Sequence, residues 1–199
     1  MEDQNSNRPL YDYTSRLRLT LKAWPVIALA TIGLCYLTQT VAKWFGIELP
    51  DQANIELVKR YAGWNRTFIF LCAQVLVLMP AIEELIFRYC LFRLPIKVGR
   101  ALRARRNHDS AETAPLSDCG EAGVLALPLL AAATVSSILF SAAHYLAQPW
   151  PDAAFIALFF FGLAQCWLYR KTGHLWCAIL NHGLFNLTNL VLLFILPEA

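Results

Sequence analysis

The chain has 199 residues, 57% of them hydrophobic and 16% charged, with a formal net charge of +3. Its mean hydropathy is +0.45, and an apolar share well above the about 45–50% of soluble domains argues against an ordinary soluble fold. No basic run is interleaved with base-stacking aromatics, so nucleic acid is not an expected partner. The apolar residues fall in blocks of about 17–26, the length that crosses a bilayer. The expected fold is therefore all-α, a polytopic transmembrane helical bundle of about five spans with interfacial helices beside them.

Residues 1–22 read as a polar, mobile arm carrying Arg8, Arg16, Arg18 and Lys22, and residues 23–199 as a single membrane domain. The arm lacks the basic n-region and short h-region of a cleaved signal peptide, so the first span is expected to stay as an anchor. That span is Trp24 to Phe45, about 33 Å at the helical rise. Trp24 and Trp44 sit at its ends, where amphipathic rings favour the interface. A polar connection follows, and its middle, 54–61, suits a short interfacial helix. The second span, Thr67 to Phe92, holds Glu83, Glu84 and Arg88. Pro80 precedes Glu83 by three residues, removes a backbone hydrogen bond and predicts a kink.

Residues 93–121 read as a long loop. It is basic first (Arg93, Lys97, Arg100, Arg103, Arg105, Arg106) and then acidic, with 109–120 flexible. Its 93–106 segment is expected to start as an amphipathic helix on the membrane surface and to meet anionic lipid. The third span, Gly123 to Leu146, is interrupted by Pro128 and ends near His144. A proline-rich turn at 147–152 leads to the fourth span, Ala153 to Tyr169. After the basic turn Arg170 to Gly173, the fifth span, Leu175 to Leu196, carries Asn181, His182, Asn186 and Asn189. Lys and Arg concentrate in the arm, the 93–121 loop and the 170–173 turn, against Lys59, Arg60 and Arg66 on the other side. This bias predicts a cytoplasmic N-terminus. The size and loop style suggest a bacterial inner membrane.

Charges inside a span cost about 2.5–3.5 kcal/mol each on insertion scales, so three in one span call for a use. Glu84 and Arg88 are four apart and can pair along one face. Two adjacent acids in low dielectric resist ionising together. With Glu84 held by Arg88, Glu83 is left without a salt-bridge partner and available as a general base. His144 on one further span, and His182 and Asn186 on another, could share a proton or donate to an oxyanion. Together these groups read as water activation and hydrolysis of an amide or ester. Singly, His144 and Asn186 read equally well as interhelical hydrogen bonds, which stabilise by about 0.6–2 kcal/mol. Ser136, Ser137 and Ser141 are expected to bond back to their own helix. His108 and His174 read as solvated surface. The six cysteines form no C-x-x-C pair and read as small buried hydrophobes. H-E-x-x-H is absent, and a zinc site would need His144, His182 and a glutamate to converge from three helices.

Glu83-Glu84-x-x-x-Arg88, then Phe140-x-x-x-His144, then His182-x-x-x-Asn186, with Gly173-His174-Leu175-Trp176 leading into the third motif, resemble the CAAX-prenyl-protease and bacteriocin-processing (CPBP, ABI) family of intramembrane proteases, which includes the Ras-converting type. The resemblance covers about 67–190, a stretch of bilayer spans. It implies a glutamate-dependent intramembrane peptidase acting on a membrane-associated protein or peptide. Glu83 would activate water with His144, His182 and Asn186 would form the oxyanion hole, and Glu84 and Arg88 would support. It implies no cofactor, with zinc as the alternative. Competing readings are a non-catalytic or immunity-type partner that binds a peptide through the same polar pocket, and a small proton-coupled carrier. With five spans, Glu83 and His182 lie about a third of the way in from the cytoplasmic side, whereas His144 lies near the outer end of its span. One site requires them to meet in depth.

Overall fold

The Asp12 side chain accepts a hydrogen bond from the Ser15 N–H at 2.7 Å. That bond to the backbone caps the first helix and holds the Asp12 carboxyl below the usual carboxylate range. The helix, α1, spans Tyr13–Trp44. Residues 13–22, expected in a mobile arm, are therefore its first turns. Trp24, expected at the interface, is half-buried, and its indole Nε1 donates to Thr188 Oγ1 at 3.1 Å. The structure is a computed structural model that describes residues 12–47, 60–63, 65–109, 119–145 and 154–195.

Asn65 caps a second helical run by accepting from the Phe68 N–H at 2.8 Å. The run passes through α2 (Arg66–Ala73), a π-helical segment (Gln74–Leu78), α3 (Met79–Glu84), a second π-helical segment (Leu85–Arg93) and α4 (Leu94–Asp109). At Pro80 the chain accommodates the missing N–H by a change of register. The Met79 N–H bonds back five residues to the Gln74 carbonyl, and the helix continues. The expected surface loop likewise begins as α4, continuous with the span before it. Residues 110–118 lie outside the described residues, as do the 147–152 turn and all but residues 60 and 61 of the 54–61 segment.

Three more helices follow: α5 (Cys119–Tyr145), α6 (Ala154–Thr172) and α7 (Leu175–Ile195). Gly173, with φ +71°, ends α6 in the left-handed conformation that an L side chain resists. Arg93 donates to the Gly173 carbonyl and to the Tyr169 hydroxyl, both at 2.8 Å. These bonds tie the α6–α7 turn to the end of the second π-helical segment.

The described residues contain no strand. Among the described residues, four helical stretches are long and apolar enough to cross a membrane: Tyr13–Trp44, Arg66–Gly99, Leu127–His144 and Leu175–Ile195. The fourth expected span forms α6 but does not reach the same hydropathy. It packs against α1, α5, α7 and the second π-helical segment, and Gln165 lies fully buried within it. A helix wrapped by others can carry polar residues that a lipid-facing one cannot.

Close packing of α6 on α5 depends on Gly162. A Cβ there would lie 2.9 Å from the Ser137 Cβ and 3.1 Å from its Cα. Small residues let membrane helices approach in this way. Gly162→Ala is expected to destabilise the bundle by about 1–3 kcal/mol, read as a lower unfolding midpoint in detergent. An unchanged midpoint would show that the two helices separate freely.

Candidate active site

The register between α5 and the acid-bearing helix is set by a serine. Ser136 Oγ donates to the Phe87 carbonyl at 2.6 Å. Phe87 lies in the second π-helical segment, and wide turns leave carbonyls open to outside donors. Ser141 also crosses helices, donating to the Phe155 carbonyl at 2.7 Å. Only Ser137 bonds back to its own helix as expected, to the Ala133 carbonyl at 2.8 Å.

One turn beyond Ser136 on α5 is Phe140, fully buried. The Arg88 guanidinium lies over its ring, 4.4 Å from the centroid. Around the same ring stand Phe87 at 5.3 Å, His144 at 4.8 Å and His182 at 5.9 Å, all edge-on. Phe140 is therefore the post on which the second helical run, α5 and α7 meet. The same ring bears on depth, because His144 and His182 both lie against it. The sequence reading ended the second span at Phe92, whereas its apolar stretch continues to Gly99, about 50 Å at the α-helical rise.

Glu84 and Arg88 are both 0% exposed, and Arg88 Nε lies 3.1 Å from Glu84 Oε2. The two make an ion pair without hydrogen-bond alignment, and neither Nη1 nor Nη2 has a hydrogen-bond partner among the described residues. The ring face of Phe140 compensates part of that loss by cation–π attraction. Glu84 Oε1 lies 2.9 Å from His182 Nδ1. A carboxylate held by Arg88 accepts, so Nδ1 carries the hydrogen. The other ring nitrogen, Nε2, faces Glu83 Oε2 at 3.6 Å, and the Glu83 side chain is 19% exposed. The order in space is Arg88, Glu84, His182, Glu83, with side-chain exposure rising from 0% at the first two through 5% to 19% at the last.

His144 Nδ1 lies 2.9 Å from the Phe140 carbonyl. A carbonyl only accepts, so the hydrogen is on Nδ1 and the neutral ring presents Nε2 as an acceptor. The Asn186 amide donates to the Val75 carbonyl at 2.8 Å. Asn189, the last of the four His and Asn residues that α7 carries, is exposed. Asn181 is buried elsewhere in the bundle. It accepts from Gln165 Nε2 at 3.0 Å and reaches the Thr20 carbonyl at 3.5 Å. Among the described residues no group of three or more His, Cys, Asp or Glu is placed to hold a metal ion.

A family model described as type II CAAX prenyl endopeptidase, Rce1-like, matches residues 65–188. The chain belongs to this family. No curated protein matches the chain, and no solved structure does. Membership implies a CAAX-type intramembrane endopeptidase, a membrane-associated protein substrate and a membrane environment. The matched stretch contains every motif residue discussed above. The sequence reading gave no role to Phe140, Phe161 or the Val75 carbonyl. Phe161 packs against His182 at 5.0 Å, and aromatic rings in apolar blocks gave no signal beyond ordinary core. Phe140 alone could have been found, because it opens the second motif.

Proposed function

We propose that the chain hydrolyses a peptide bond of a membrane-associated protein or peptide with water activated by Glu83. The observation that carries this reading is the graded exposure of the array: Arg88 and Glu84 are sealed at 0%, whereas Glu83, at 19%, is the carboxylate of the pair left open beside His182. Glu83 takes a proton from water as the hydroxide adds to the substrate carbonyl. His144, with Nε2 unprotonated, accepts the second hydrogen of that water and orients it. The proton held on Glu83 then passes to the departing amine nitrogen, and the peptide bond breaks.

Donors must meet the oxyanion that forms in between. The Asn186 amide nitrogen has two hydrogens, one directed to Val75 and one left for the substrate oxygen. His182 Nε2 becomes a donor once protonated, and its place beside Glu83 couples that step to the proton transfer. Phe140 and Phe161 fix the imidazole between the two carboxylates. This reading uses no metal, and its alternative is zinc. We further propose that the N-terminus is cytoplasmic in a bacterial inner membrane, following the Lys and Arg bias. The basic 93–106 segment would then face anionic lipid.

The test uses protein reconstituted in lipid with a quenched fluorescent peptide. His144→Ala is expected to lower turnover by about 10²-fold, within the usual range for a residue assisting proton transfer. Turnover by wild-type protein is expected to survive chelation, with metal content measured on the same sample. Loss of activity on chelation that returns with zinc would replace this mechanism by the metal one. Normal cleavage by the His144 variant would remove that residue from the chemistry.

A further inference from the structure

We propose that Asn186 stands in for the backbone donor that Pro80 lacks, and that Asn186 and Gly183 together are positioning residues for Glu83. Proline carries no N–H. Ahead of it the helix is already in the wide register, with the Met79 N–H bonded to the Gln74 carbonyl. The next bond in that register would join the Val75 carbonyl to the Pro80 nitrogen, which has nothing to donate. In the ordinary i→i−4 register the same nitrogen would have served the Leu76 carbonyl. Proline thus removes the donor due to one of two adjacent carbonyls, inside a membrane helix where water does not replace it.

α7 meets both carbonyls. Asn186 Nδ2 donates to the Val75 carbonyl at 2.8 Å. Gly183, three residues earlier on the same helix, lies so close to the Leu76 carbonyl that a Cβ would stand 2.5 Å from its oxygen. Only glycine admits that approach without a shift of backbone. His182 adjoins Gly183, and its imidazole touches Glu84 and faces Glu83 one turn beyond Pro80. One stretch of α7 therefore holds the break in the acid-bearing helix and also the acids that follow it. A misplacement of about 1 Å at a reacting group can cost about 10²-fold in rate. The clamp fixes the height and rotation of Glu83 against His182. This role is separate from the second Asn186 hydrogen, which the endopeptidase reading assigns to the oxyanion, and only the turnover readout below rests on that reading.

The experiment is a double-mutant cycle in full-length reconstituted protein, with Asn186→Ala made in the native background and in Pro80→Ala. Alanine at this position restores one N–H, so the one carbonyl left over by proline no longer depends on α7 for its donor. In the native background Asn186→Ala is expected to lower kcat by about 10²-fold with KM little changed. It is also expected to lower the unfolding midpoint by about 2–8 °C. In the Pro80→Ala background both effects shrink: the midpoint shift falls to near zero, and the kcat loss falls only by its positioning share, since the oxyanion hydrogen of Asn186 is lost in either background. Equal effects in both backgrounds would overturn the proposal. If the Pro80→Ala protein cannot be purified, Gly183→Ala decides: it is expected to lower both kcat and midpoint, and wild-type behaviour in both overturns the clamp. If no peptide is cleaved by wild-type protein, the endopeptidase reading fails on its own, and the midpoint cycle still decides this one.

Discussion

Glu83→Gln is expected to lower turnover by about 10²–10⁴-fold, the range for a lost general base, with a smaller drop in the unfolding midpoint than Glu84→Gln causes. The change keeps the side chain's size and removes its basicity. Among the described residues Glu83 has no ion-pair partner closer than His182 at 3.6 Å, so less of the fold depends on its charge than on that of Glu84. Its neighbour should behave differently. Glu84→Gln leaves the Arg88 guanidinium buried without a counter-charge and frees His182 Nδ1 from a 2.9 Å contact. It is expected to lower the midpoint as well as turnover. Two adjacent glutamates would then separate into one that acts and one that holds. Wild-type turnover by the Glu83 variant would sink the hydrolytic reading. Retained peptide binding with lost turnover would distinguish an inactivated enzyme from a misfolded one.

The separation of those two acids was legible in the sequence, because i,i+4 spacing places Arg88 on the Glu84 face and not the Glu83 face. The helical bundle was legible too, since apolar blocks of bilayer length have few other uses. What the sequence did not carry is register between helices. The register of α5 on the acid-bearing helix goes with one side-chain bond, Ser136 to the Phe87 carbonyl, and with the Phe140 ring packed on Phe87. Neither a serine nor a phenylalanine in an apolar run announces its partner. The length of the acid-bearing helix was missed for a similar reason. Pattern reading ended it at the first cluster of arginines, yet Arg93 turns inward to Tyr169 and Gly173 and the helix goes on. Asn186 read as an oxyanion donor because spacing shows which residues share a face. Spacing cannot show that a carbonyl left over by a proline lies opposite.

Arg88→Met is expected to be the most destabilising single substitution in the site, at about 3–5 kcal/mol, the usual result of breaking a buried ion pair by removing one partner. Arg88 and Glu84 are both 0% exposed, so the Glu84 carboxylate would keep only His182 beside it. The loss has a second part: the guanidinium lies 4.4 Å from the centroid of the Phe140 ring, and a desolvated cation–π contact contributes about 2 kcal/mol or more. Arg88→Lys should not rescue it, because an ammonium lacks the flat surface that lies on the ring and cannot reach Glu84 from the same position. The double change Arg88→Met with Glu84→Gln removes both charges and should be less destabilised than Arg88→Met alone, since a buried ion pair adds little net stability over a neutral replacement. Unfolding midpoints of the four proteins in one detergent would test this. If the double variant is as unstable as the sum of the two singles, the pair is not coupled and the array from Arg88 to Glu83 is not a unit. If it recovers stability but not turnover, the ion pair is present for the sake of His182: Arg88 fixes the Glu84 side chain, Glu84 Oε1 accepts from Nδ1, and Nε2 is thereby left facing Glu83.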